Sequence, residues 1–192
     1  MTQIETPTHL VPPKRADARR NYEKLIAAGR ETFAESGADA SLEEIARRAG
    51  VGIGTLYRHF PTRQALLEAV YVDEVEALSR SAAELADLPP WESLAAWLRR
   101  YVTYAATKRA LAEELSASMG AESSVFAMCK GVILEAGEPL FRRAQEAGVV
   151  RRDADFMDVL RMVFGIAAIP APEPGQIERI LDVALDGLRY PS

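Results

Sequence analysis

The chain reads as an all-α protein, and three observations carry that expectation. Leu, Ala, Glu and Arg, which favour helix, are prominent in its composition. Apolar residues recur three and four positions apart over most of its length. Gly and Pro fall mainly between those stretches, where helices start and stop. The spacing predicts about nine helices in two parts, over 15–62 and 63–192, behind an arm over 1–14. A chain of 192 residues is long enough to bury cores of this kind.

The arm contains Pro7, Pro12 and Pro13 with little apolar material, and is expected to be disordered. The first helix spans about 18–36, with Tyr22, Leu25, Ile26, Gly29 and Phe33 facing a core and Gly37 ending it. Lys14, Arg15, Arg19 and Arg20 lie at its start and suit phosphate contact.

The next stretch, SLEEIARRAGVGIGTLYRHFPTR over 41–63, organises the rest. Ser41 followed three residues later by Glu44 is a capping box. A short helix follows, with Leu42, Ile45, Ala46 and Ala49 on one face, and Gly50 stops it by going left-handed. A second short helix runs through Thr55-Leu56-Tyr57-Arg58-His59-Phe60 to Pro61. Two short helices around a glycine turn form a helix-turn-helix, whose second helix enters the DNA major groove. Leu56 and Phe60, four apart, face inward, leaving Ile53, Gly54, Thr55, Arg58 and His59 outward and Tyr57 at the edge. Small residues, hydrogen-bonding groups and a base-edge donor are what groove reading needs. Arg58 and Thr55 are the candidates for base contact; Tyr57, His59, Thr62, Arg63, Ser41 and Arg47 are the candidates for holding phosphates.

These residues carry a resemblance. EEIARRAGVGIGTLYRHFPTRQAL resembles the DNA-binding signature of the TetR family of bacterial transcriptional regulators, and NYEKLIAAGRETFAESGADA is similar to that family's first helix and connector. The likeness covers roughly residues 19–70. Many members carry serine or threonine where this chain has Gly52, which removes one phosphate contact. The resemblance implies a helical effector-binding and dimerisation domain after the head, and no particular chemistry in it.

A long helix is expected from Thr62, its N-cap, to about Leu88, where Pro89-Pro90 stops it. Further helices are expected over 91–107, 108–118 and 122–147, the last kinked at Pro139 and softened at Gly137. Two terminal helices follow around the break IPAPEPG. Their stripe of Phe156, Leu160, Val163, Ile177, Ile180, Leu181, Ala184 and Leu188 could complete one chain's core or form a four-helix bundle with a second copy. The resemblance implies the second, a homodimer whose two heads meet a palindrome of double-stranded DNA. It also implies a small-molecule effector in the body. Trp97, Tyr101, Tyr104, Met119, Phe126, Cys129, Met162 and Phe164 are the candidate lining, and each by itself reads first as core packing. Arg161 and Glu135 could anchor a ligand or pair on the surface.

The net charge of -5 divides unevenly. Residues 14–63 hold ten Lys or Arg against seven Asp or Glu, net +3, whereas 64–192 carry a net -7. A modestly basic head is compatible with DNA binding, which depends on the charge presented locally. One cysteine, Cys129, excludes an internal disulfide framework and suits a reducing cytoplasm. The start MTQIETPTHLVPPK does not read as a secretory signal, and no apolar run is long enough to cross a membrane. With only His9 and His59 besides Cys129, no metal or nucleophile set forms, so neither cofactor nor catalysis is expected. The competing function is an all-helical ligand-binding protein or enzyme without specific DNA binding.

Overall fold

The computed structural model describes residues 8–119, 124–171 and 173–189, with the side chains of 8, 38, 109–119 and 124 outside that description. Eight α-helices stand among the described residues: α1 Ala16–Ser36, α2 Leu42–Arg48, α3 Ile53–His59, α4 Arg63–Glu84, α5 Pro90–Met119, α6 Ser124–Glu146, α7 Phe156–Ile166 and α8 Gln176–Leu188. The chain forms two compact units, one of residues 1–74 with 110–129 and the other of 75–109 with 130–192. The expected ninth helix is absent because nothing interrupts α5 near Thr107: the stretch TKRALAEELSA contains neither Gly nor Pro, and the helix runs through it.

In the first unit, α1 buries Tyr22, Leu25, Ile26 and Phe33. Gly29 lies where α4 crosses α1, and a Cβ built there would stand 3.1 Å from Val70 Cγ2. Gly37, at φ 51°, turns the chain out of α1. α2 then starts as a cap demands: Ser41 is extended and its hydroxyl accepts the Glu44 amide at 3.1 Å. Only that half of the capping box forms in the way expected, because the Glu44 carboxylate receives Arg47 and Arg48. Gly50, at φ 65°, supplies the left-handed residue after α2, and α3 follows within three residues. Thr62 caps α4, its hydroxyl accepting the Ala65 amide at 3.1 Å.

Part of the arm expected to be disordered is ordered. Residues 1–7 lie outside the described chain, but Thr8–Leu10 makes a 3-10 turn with Leu10 buried. His9 Nε2 lies 2.7 Å from Glu68 Oε2 of α4, and the Tyr22 hydroxyl donates to the His9 carbonyl at 3.1 Å. One apolar side chain and two polar contacts order a segment whose composition alone suggested none.

In the second unit, Leu94, Trp97, Leu98, Phe141, Phe156, Val163, Leu181 and Leu185 are buried together. The Trp97 indole N–H donates to the Leu78 carbonyl at 3.2 Å. Pro90 occupies the first position of α5, where its missing N–H costs nothing. α6 continues through Pro139, whose ring lies on the exposed side. Gly137 has another role than softening: a Cβ there would stand 2.4 Å from Trp97 Cη2 and 2.6 Å from Phe156 Cζ, so the helix passes against two aromatic rings. Asp155 caps α7, accepting from the amides of Met157 and Asp158.

Candidate nucleic-acid interface

The site is built by burying one side of α3. Leu56 and Phe60 are fully buried, and each stabilises the unit by about 1.5–3 kcal/mol relative to exposure. Fixing those two fixes the opposite row: Ile53, Gly54, Tyr57 and Arg58 face solvent, with Thr55 and His59 half-buried at the margins. Large apolar and aromatic surface at Ile53 (39%) and Tyr57 (45%) is left open beside a cation. Arg58 makes no ion pair among the described residues, in contrast to Arg47 and Arg48, which hold Glu44. Those two guanidiniums pull the Glu44 carboxyl down to about 2, so it stays ionised and positions both arginines. Arg48 also reaches Glu35 of α1 at 2.7 Å, tying α2 to its neighbour.

His59 is supported from behind. Its ring meets Tyr22 edge-on, centroids 6.1 Å apart, while Tyr22 packs on Phe60 at 5.1 Å. Burial first, and the Arg58 charge second, hold the imidazole below its ordinary range, so it is neutral at pH 7. Such a ring offers one N–H donor and no repulsion to Arg58.

Two family descriptions match the chain: the tetR family of bacterial regulatory proteins over residues 25–70, and the C-terminal domain of SbtR-like transcriptional regulators over 89–190. The second alone spans more than half of the chain. The protein belongs to the TetR family. The crystal structure of the TetR regulator SCO0520 from Streptomyces coelicolor is 43% identical, covers 88% of this chain and 99% of its own, and superposes with a TM-score of 0.78. The regulator UidR of Escherichia coli is 26% identical over 155 residues, 78% of this chain and 79% of that protein. The regulator SAR0097 of Staphylococcus aureus is 38% identical over 68 residues, so this chain spans about a third of its length. The protein is accordingly a DNA-binding transcriptional regulator with an N-terminal helix-turn-helix.

Within this TetR-family head, Ile53, Gly54, Thr55, Tyr57, Arg58 and His59 lie on α3 at exposed or half-buried positions. Arg63, expected to hold a phosphate, is engaged within the head. Its guanidinium donates to the carbonyls of Ala40 and Gly37 and lies over the Phe33 ring, 5.1 Å from the centroid. The Gly37 carbonyl already accepts the Ala40 amide at 3.2 Å, so Arg63 adds a second donor there and supplies one to the Ala40 carbonyl. Ser41 and Thr62 use their oxygens as caps and keep their hydroxyl protons free to donate. The helical spacing marks Tyr22 only as a core residue; its support of His59 has no local signal, because the two are 37 positions apart.

The candidate effector residues fall in both compact units. Trp97, Tyr101 and Tyr104 form a buried aromatic series, Trp97 and Tyr101 being stacked at 5.8 Å and 9°. Burial pushes the Tyr101 hydroxyl up to about 12. In the other unit, Cys129 is buried and half-buried Phe126 packs edge-on against Tyr71 at 5.5 Å. Met162 and Phe164 point to solvent, 37% and 38% exposed, and the Met119 side chain lies outside the described residues. Arg161 pairs with Asp158, the surface alternative; Glu135 is exposed.

The stripe that could serve a core or a dimer interface divides by burial. Phe156, Leu160, Val163, Leu181 and Leu188 are buried within a single chain, with Ile177, Ile180 and Ala184 only half-covered. α7 and α8 pack on each other, and their strongest apolar stripe completes their own unit's core. Over the described residues of 156–188, the large apolar side chains left open are Met162, Phe164, Ile169 (39%) and Val183 (76%). Among the described residues no helix is long and apolar enough to cross a membrane.

Proposed function

We propose that the protein binds a palindromic operator as a homodimer in the cytoplasm, lowers transcription while bound, and is released by a small-molecule effector. The observation that best supports this is the division of α3: Leu56 and Phe60 are buried while Ile53, Tyr57 and Arg58 stand open in a row. Arg58 reads a guanine through two hydrogen bonds, and Thr55 offers a hydroxyl or methyl to the neighbouring base. Gly54 lets the backbone approach, and Ile53 covers a thymine methyl. Tyr57, His59, Ser41, Thr62 and Arg47 hold phosphates on either side.

A second copy covers Met162, Phe164, Ile169 and Val183 together with the half-covered Ile177, Ile180 and Ala184. The effector acts in the helical body, where Trp97, Tyr101 and Tyr104 offer aromatic surface. α4 contributes residues to both compact units, so an effector that prefers one tilt of α4 would change the spacing of the two heads.

The test is selection of bound sequences from a random duplex pool, followed by a screen for compounds that release the winner. The expected product is a palindrome with half-sites about one or two DNA turns apart. Preference below about tenfold over unrelated duplexes would overturn the reading, since specific readers reach about a thousandfold or more.

A further inference from the structure

We propose that residues 8–10 are a working part of the DNA-reading head, a clamp that positions the C-terminal end of α3 through Tyr22. The clamp has three points of attachment. Leu10 is buried, 7% exposed. The His9 ring meets Glu68 at 2.7 Å with the two side chains only 20% and 10% exposed, and Gln64 donates to the other Glu68 oxygen at 2.7 Å. The His9 carbonyl receives the Tyr22 hydroxyl at 3.1 Å.

Tyr22 is what makes this more than a strap. Its ring rests on Phe60 at 5.1 Å and meets His59 edge-on at 6.1 Å, so the far end of the same side chain sets the backstop of the recognition helix. α3 has only seven residues, too few to hold its own direction without packing. Its last turn is therefore placed by what lies behind it. Glu68 fixes His9, the His9 carbonyl takes the Tyr22 hydroxyl, and Tyr22 fixes the angle at which His59 meets a phosphate. A buried hydroxyl losing its acceptor would turn to find another, and the ring would turn with it.

The inference rests on the proposed role of α3, and the test separates the two. Full-length protein is compared with His9→Ala, His9→Glu, and the reversed pair His9→Glu with Glu68→Lys. Two signals are read: the His59 ring resonances in the free protein, and dissociation from the duplex selected from the random pool. His9→Ala and His9→Glu are expected to move the His59 resonances and speed dissociation about tenfold, the scale of one lost hydrogen bond to a charged group. The reversed pair restores both signals. A lower melting temperature with unchanged His59 resonances and dissociation rate would overturn the clamp and leave a passive strap. So would a folded reversed pair that restores neither. If the parent chain selects no duplex, the proposed role of α3 fails, while the His59 resonances still decide whether residues 8–10 hold α3.

Discussion

Two glycines of α6 should respond to the same substitution with opposite sign. A Cβ at Gly137 would stand 2.4 and 2.7 Å from Trp97 ring carbons and 2.6 Å from Phe156, whereas one at Gly131 would meet nothing within 4 Å. Ordinary contact begins near 3.4 Å, so at Gly137 both rings must retreat by close to an ångström. Trp97 has no room to do so, being fully buried with its indole N–H on the Leu78 carbonyl. With three contacts this short, all to rings, the overpacking cost lies in the upper half of about 1–3 kcal/mol, and the helical gain of alanine over glycine, about 1 kcal/mol, offsets only part of it. Gly137→Ala should therefore lose about 1–2 kcal/mol, while Gly131→Ala gains about 0.5–1 kcal/mol. For a chain of 192 residues this is a fall of roughly 2–8 °C against a rise of roughly 1–4 °C. Thermal unfolding followed by circular dichroism checks both, and tryptophan fluorescence checks that the disturbance is at the indole. Equal melting temperatures for the two variants would refute the close approach of α6 to Trp97.

Other expectations follow from the site. Arg58→Ala should weaken binding of the selected duplex by roughly 5- to 150-fold per half-site, the value of one bidentate base contact, with unchanged circular dichroism; equal affinity would remove Arg58 from the reading face. Arg63→Ala should lower the melting temperature, because its guanidinium holds the Ala40 and Gly37 carbonyls, and differential scanning calorimetry reads this without DNA. The folded state holds His59 below its ordinary value of about 6.5, so the unfolded chain binds more protons at low pH. Stability is then complete above about pH 6.5 and is lost as pH falls through the lower folded value. His59→Asn should flatten that slope in denaturant titrations from pH 7 to 5. Val183→Glu, on the 76% exposed side chain of α8, should shift sedimentation toward the single chain, whereas Leu181→Ala should unfold it first, by about 2–5 kcal/mol.

The helix-turn-helix was legible in the sequence because its signals are short-range. The Ser41 cap, the left-handed glycines at 37 and 50, and the four-residue spacing of Leu56 and Phe60 each act within one or two helical turns, so the sequence determined the head, the side of α3 left exposed and the family it resembles. Only the tertiary structure decided what depends on partners far along the chain. Hydrophobic period says that a stripe is buried but not by whom, so Leu181 and Leu188 could not be told from an interface until their own unit was seen to cover them. Arg63 is a cation beside the recognition helix in sequence and a staple for Ala40 and Gly37 in space. His9 finds Glu68 across 59 positions, and Gly137 looks like a flexible point until Trp97 and Phe156 are placed against it. Local pattern encodes where the backbone turns and which face is apolar; which group meets a side chain is set by packing, and packing is settled only when the whole chain is in place.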